Sequence, residues 1–170
     1  GALSVNGPSE KPLPCFPPIA DYGGAMQAAN AILGALFHRS KTGNGAFLDI
    51  AMADTVLSWQ SYGLKKEISC KNINKKKIGR ERELLNGGSA CYNIYRTKDK
   101  KFISLGAIEK KFWENFCIAL GRKDWVVRQA DRKPQTNLIN EVAKVIAQKP
   151  RYEWNSLLSE IDCGYSPGLS

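Results

Sequence analysis

Residues Cys91 to Leu105 read CYNIYRTKDKKFISL, and this stretch decides the fold. Two short runs, Cys91 to Arg96 and Lys101 to Leu105, flank the polar turn Thr97-Lys98-Asp99-Lys100, which is the pattern of two strands joined by a turn. Asn86-Gly87-Gly88 just before them is a further turn signal. Downstream the periodicity changes. Lys110 to Leu120, Leu138 to Ala147 and Tyr152 to Ile161 each carry apolar residues near three-to-four spacing, so each is expected to be a helix. Strands followed by helices predict a small α+β unit over 86–163.

Upstream the pattern is different. Pro8, Pro12, Pro14, Pro17 and Pro18 exclude a regular helix or central strand at the start. Asp21-Tyr22-Gly23-Gly24 leads into an Ala-rich run from Ala25 to Arg39, with Asp21 expected as the N-cap of a thin, closely packing helix. The turn Lys41-Thr42-Gly43-Asn44-Gly45 should end it. Ala46 to Ile50 reads as a short buried strand, and Met52 to Leu64 as one helix burying Val56, Leu57 and Trp59. A unit of residues 1–64 is too small to close a core alone, which predicts that an N-terminal part precedes it in the natural protein.

Between the two units the charge is concentrated. Eight basic residues between Lys65 and Arg82, against Glu67 and Glu81, supply six of the nine net positive charges. A basic run attracts phosphates of any kind, and it also suits a solvated linker, here 65–85. No aromatic residue interleaves with these lysines, which disfavours a single-strand nucleic-acid interface. Five scattered cysteines (Cys15, Cys70, Cys91, Cys117, Cys163) without CxxC spacing argue against a zinc site or disulfide framework and for a reducing compartment. No run approaches the roughly 20 apolar residues of a membrane span.

Phosphate-loop, dinucleotide and nucleophile-elbow motifs are missing from the sequence. The lone histidine, His38, falls inside the first helical pattern. Two acids stand out. Asp21 sits where a loop enters a helix, with Gly23 and Gly24 behind it to admit a ligand close to the backbone, and nearby N–H groups could receive a developing oxyanion. Glu109, in Gly106-Ala107-Ile108-Glu109, leaves a strand and opens a helix. On pattern alone both are ordinary helix-start acids.

Taken together, five strings resemble a known family. IADYGGAM (Ile19 to Met26), ALFHRSKTGNG (Ala35 to Gly45), LDIAMAD (Leu48 to Asp54), LLNGGSACYNIYRT (Leu84 to Thr97) and LGAIEKKFW (Leu105 to Trp113) look like family III CoA-transferases, the CaiB/BaiF family, nearest the α-methylacyl-CoA racemase branch. Glu153-Trp154 and Asp162-Cys163 before Ser166-Pro167 also recur in order. The resemblance implies an α/β fold, in which 1–64 ends a Rossmann-like CoA-binding domain, 86–163 forms the small domain and 164–170 returns.

It also implies chemistry. In the racemase branch two bases flank the α-carbon of a 2-methylacyl-CoA thioester. Asp21 matches the family aspartate that serves one face, and Glu109 the glutamate that backs a histidine on the other. Leu85, Asn86, Gly87, Gly88 and Tyr92 match a stretch near the acyl site. No cofactor is implied beyond coenzyme A, which is part of the substrate. The implied partner is a second copy in an interlocked homodimer; no membrane partner is expected, and a nucleic-acid partner is disfavoured. The implied compartment is the cytoplasm, or mitochondria or peroxisomes in a eukaryote.

One departure matters. No residue here matches the racemase histidine, which the family places upstream of the aspartate, so this chain is expected to be inactive by itself. Three alternatives stay open at this level. They are a CoA-transferase using Asp21 as acyl-accepting nucleophile, a basic nucleic-acid-binding module through Lys65–Arg82, and a decayed gene product.

Overall fold

A computed structural model of the chain describes residues 5–71 and 79–168. The chain divides into two compact units, one of residues 1–7 and 11–78, the other of residues 8–10 and 79–170.

The first unit, within the described residues, is helical. Helix α1 runs Ile19–Thr42, α2 Met52–Trp59 and α3 Ser61–Lys71. α1 starts directly after Pro18, which is extended at φ −67° and ψ 95°. A proline at that point forfeits no helical hydrogen bond. The helix therefore begins earlier than the Asp21 cap expected from sequence, and Asp21 stands inside its first turn. At the other end the Gly43 N–H bonds to Arg39 O at 2.8 Å and closes the helix. α1 packs on α2 through Gly23 and Gly24. A Cβ on Gly23 would lie 2.7 Å from Trp59 Cη2, and one on Gly24 2.8 Å from Met52 Cγ.

Three expectations for this unit are corrected. Residues 46–50 form no strand, and Phe47 is 94% exposed. A strand needs a hydrogen-bonded neighbour, and the described residues offer none there. The single helix expected over Met52–Leu64 is two, interrupted at Gln60, whose N–H is shared between Val56 O at 3.2 Å and Leu57 O at 3.0 Å. Leu57 and Trp59 are exposed, and Thr55 is the buried residue of α2. His38 lies exposed in α1. The basic segment starts as the end of α3, whereas Lys75, Lys76 and Lys77 lie outside the described residues.

The second unit holds the sheet and the core. Strands β1 (Tyr92–Arg96) and β2 (Phe102–Gly106) form the antiparallel hairpin expected from sequence, with Tyr92 opposite Gly106 and Arg96 opposite Phe102. A third strand, β3 (Tyr165–Pro167), which the pattern did not announce, adds to β2 with Ile103 opposite Pro167. Helices α4 (Lys110–Ala119), α5 (Thr136–Ile146) and α6 (Arg151–Leu158) follow the apolar spacing. Their inward positions, among them Trp113, Phe116, Leu138, Val142, Ile146 and Leu158, are at most 1% exposed and pack against Tyr95, Ile103 and Leu105 of the sheet.

Each tryptophan of this core finds a partner for its ring N–H, which removes the cost of burying it. Trp113 donates to Trp125 O at 3.0 Å, Trp154 to Ile146 O at 2.8 Å, and Trp125 to the Glu141 carboxylate at 3.0 Å. Cys91, Cys117 and Cys163 are buried free thiols in the same core, and burial pushes Cys117 up to about 12. Among the described residues no helix is long and apolar enough to cross a membrane.

Candidate active site

The loop that precedes β1 is held by its own side chains. The Asn86 side-chain oxygen accepts the Glu83 N–H at 2.8 Å, and its amide donates to Gly79 O at 2.9 Å. Gly87 sits at φ +98°, a left-handed conformation that L side chains rarely adopt. Gly88 is buried against the preceding backbone, where a Cβ would stand 2.3 Å from the Arg82 carbonyl carbon. Asn93 of β1 reaches back to donate to Gly87 O at 3.1 Å and Ser89 O at 3.3 Å. The glycine pair is thus a rigid, tightly packed turn.

That turn walls a cavity of about 530 Å³. Leu85, Asn86 and Gly87 line one side, Tyr92, Asn93 and Ile94 of β1 another, and Ser104, Leu105, Gly106 and Gly164 complete it. The strand register explains the hollow. Tyr92 stands opposite Gly106 and Ile94 opposite Ser104, so large side chains on β1 face small ones on β2. The outer face of a sheet with that pairing has a trough rather than a ridge. Ile94 is 67% exposed in this trough, an apolar side chain left open to solvent.

Of the residues singled out in the sequence, Leu85, Asn86, Gly87 and Tyr92 come together in this cavity, with Gly88 buried next to it. Sequence reasoning missed Asn93, Ile94, Ser104 and Gly164. The signal available for Ile94 was its alternation with Tyr92 on one strand face. Glu109 belongs to the same unit. It is the N-cap residue of α4, extended at φ −68° and ψ 139°, and its side chain makes no capping hydrogen bond. Its carbonyl starts the helix by accepting the Phe112 and Trp113 N–H groups at 3.1 and 3.2 Å.

Asp21 belongs to the first unit. It is exposed and lines a cavity of about 260 Å³ with Asn6, Leu13, Cys15, Pro18, Ile19, Ala20 and Val56. Gly23 and Gly24, the pair expected to admit a ligand, pack on α2. Both are buried, and the space where side chains would stand is filled by Trp59, Thr55 and Met52.

The family model for CoA-transferase family III matches residues 1–170. The human protein named alpha-methylacyl-CoA racemase is 31% identical over 173 aligned residues, covering 100% of this chain and 44% of its own length. An L-carnitine CoA-transferase of Proteus mirabilis is 30% identical over 106 residues, covering 62% of this chain and 22% of its own. A crystal structure of a hypothetical protein, Rv3272, from Mycobacterium tuberculosis superposes with a TM-score of 0.70 at 22% identity, over 99% of this chain and 44% of that one. The chain thus spans less than half the length of these relatives. With its motifs in order, its mixed α/β fold shared and the family model matched from end to end, the chain belongs to CoA-transferase family III.

Proposed function

We propose that the complete protein carrying this chain is an acyl-CoA racemase that inverts the α-carbon of a 2-methylacyl-CoA thioester by two-base proton transfer. The observation that carries the reading is the apolar trough of about 530 Å³ between Leu85, Tyr92 and Ile94, a fit for an acyl chain, in the unit that also holds Glu109. The 31% identity to the human racemase supports the choice of reaction.

The chemistry asks for little beyond placement. One base takes the α-proton, and the electron pair of the broken C–H bond moves onto the thioester oxygen as an enolate. A protonated group on the opposite face then returns a proton to the α-carbon, and the carbonyl re-forms. The carboxylate of Asp21, exposed in the first turn of α1, is the proposed acid–base on one face. Glu109, uncommitted to its own helix cap, orients the group that serves the other face. A positioned proton carrier contributes about 10²–10⁴-fold to such a step.

Asp21 and Glu109 belong to separate units, and the proposed assembly is a homodimer in which they work across subunits. Mixing inactive Asp21→Ala and Glu109→Gln chains of the complete protein should then restore part of the activity.

The reaction itself is tested with one epimer of a 2-methylacyl-CoA in heavy water. The expected result is epimerisation with deuterium appearing at the α-carbon. Transfer of CoA to an added carboxylate, with no α-exchange and a hydroxylamine-sensitive adduct on Asp21, would overturn the racemase reading in favour of a transferase. The carnitine CoA-transferase relative makes that the alternative to watch.

A further inference from the structure

Gln135 is a polar side chain in the core, 4% exposed, at a position where its presence needs a reason. It is the N-cap residue of α5, a place where Ser, Thr, Asp or Asn commonly caps. Its side chain makes no capping bond. It turns inward instead. The amide oxygen accepts the Ala90 N–H at 3.0 Å and the Ser89 hydroxyl at 3.2 Å. The amide nitrogen donates among three carbonyls, Arg128 O at 3.2 Å, Gln129 O at 2.9 Å and Asp131 O at 3.0 Å. Its backbone N–H bonds to Gly88 O at 3.0 Å. One residue thus grips the Gly88–Ala90 segment, just after the cavity-lining Leu85–Gly87, and the 128–131 segment together.

The second amide continues the chain of contacts. Gln129, whose carbonyl Gln135 holds, sends its own side chain to Ala107 O at 3.1 Å and Ile108 O at 2.9 Å. Those are the two residues between β2 and Glu109. The Ala107 N–H is in turn tied to Cys91 O at 2.8 Å. Gln135 is buried with both ends of its amide bonded, and Gln129 is half-buried with its amide nitrogen shared between two carbonyls, so moving either strands hydrogen-bonding groups.

We propose that Gln135 and Gln129 are positioning residues, a two-amide clamp that fixes the Gly88–Ala90 segment, which joins the cavity-lining Leu85–Gly87 to Tyr92, and the carboxylate-bearing Glu109 in one register. This inference rests on the proposed role of Glu109 and adds to it a source of alignment that no sequence motif marks. Neither glutamine touches the reacting atoms.

The test uses the complete natural protein and two readouts. Gln135→Glu keeps the acceptor side towards Ser89 and Ala90 but replaces the donor towards 128–131. Gln129→Leu deletes the grip on Ala107 and Ile108, and Gln129→Lys restores a donor there. Hydrogen exchange read on peptides should show Gln135→Glu speeding exchange at the remote Ala107–Lys111 stretch, as Gln129→Leu does directly. No change there for Gln135→Glu would overturn the clamp. In the α-proton exchange assay, Gln129→Leu should lower kcat roughly tenfold to a hundredfold with KM little changed, as misplacement of a catalytic group does, and Gln129→Lys should recover part of it. A Gln129→Leu protein with unaltered kcat, alongside an inactive Glu109→Gln protein, would also overturn it. A fully active Glu109→Gln protein would instead remove the role given to Glu109 and leave the clamp to stand or fall on the exchange data.

Discussion

Tyr92 on β1 is paired with Gly106 on β2, so an aromatic side chain faces a residue with none, and the hollow between them is the floor of the trough of about 530 Å³. The position tolerates a methyl group. A Cβ on Gly106 would meet only Gly164 O, at an ordinary 3.7 Å. Gly106→Ala is therefore expected to fold normally while raising KM for the bulkiest acyl-CoA substrates roughly tenfold, the scale set by one methyl group in an apolar pocket. Steady-state kinetics across a chain-length series of the complete protein checks this.

Asp21 is the carboxylate proposed above for proton transfer. Asp21→Asn preserves shape and removes the base, so α-proton exchange should fall by about 10²–10⁴-fold with the thermal transition unmoved. Deuterium incorporation followed by mass spectrometry decides, and near-normal exchange would remove Asp21 from the mechanism.

Gly88→Ala should destabilise the second unit, because its Cβ would sit 2.3 Å from one backbone carbon and 2.6 Å from the Glu83 nitrogen. Backbone cannot swing aside as a flexible side chain does, so the cost is about 1–3 kcal/mol. Urea unfolding followed by tryptophan fluorescence is the measurement, since Trp113, Trp125 and Trp154 are all buried in this unit.

Phe116→Ala should cost about 3–5 kcal/mol in the same experiment, by opening a cavity in the core of the second unit. Phe116 is fully buried and stacks on Trp113 at 5.7 Å between ring centroids.

The surface network around Glu141 gives this unit an acid-side pH dependence. Arg128 binds the Glu141 carboxylate at 3.0 and 2.9 Å and, with the Trp125 N–H, holds it below its ordinary 4.5. Arg122 does the same to Asp124. A carboxylate with a lowered folded-state pKa is protonated later in the folded chain than in the unfolded one as pH falls. Its contribution is thus complete above the ordinary value and is lost as pH drops through the folded one. Glu141→Gln should therefore lower the urea midpoint at pH 7, and the difference from the parent should shrink below pH 4.5.

Local pattern carried much of this molecule. The hairpin around Thr97–Lys100 and helices α4, α5 and α6 are legible because each pairs a periodic apolar face with clear turn residues, and the core they bury lies within the same stretch of chain. The first unit was less legible. Ala46–Ile50 has the composition of a strand, but a strand exists only with a partner, and Met52–Leu64 has helical periodicity that does not reveal the break at Gln60.

The family membership and the residues worth testing came from strings in order along the sequence, since a motif such as Ile19–Met26 or Leu105–Trp113 is visible without a fold. What the tertiary structure alone decided is how those residues are used. It covered Gly23 and Gly24 with α2, set Ile94 opposite Ser104 to hollow the sheet face, and joined Gln135 to Gln129 and onward to the residue before Glu109. Register and hydrogen-bond partners connect positions far apart in the chain. A single glycine or glutamine has no periodicity to announce them, and only packing fixes which carbonyl lies within reach of which amide.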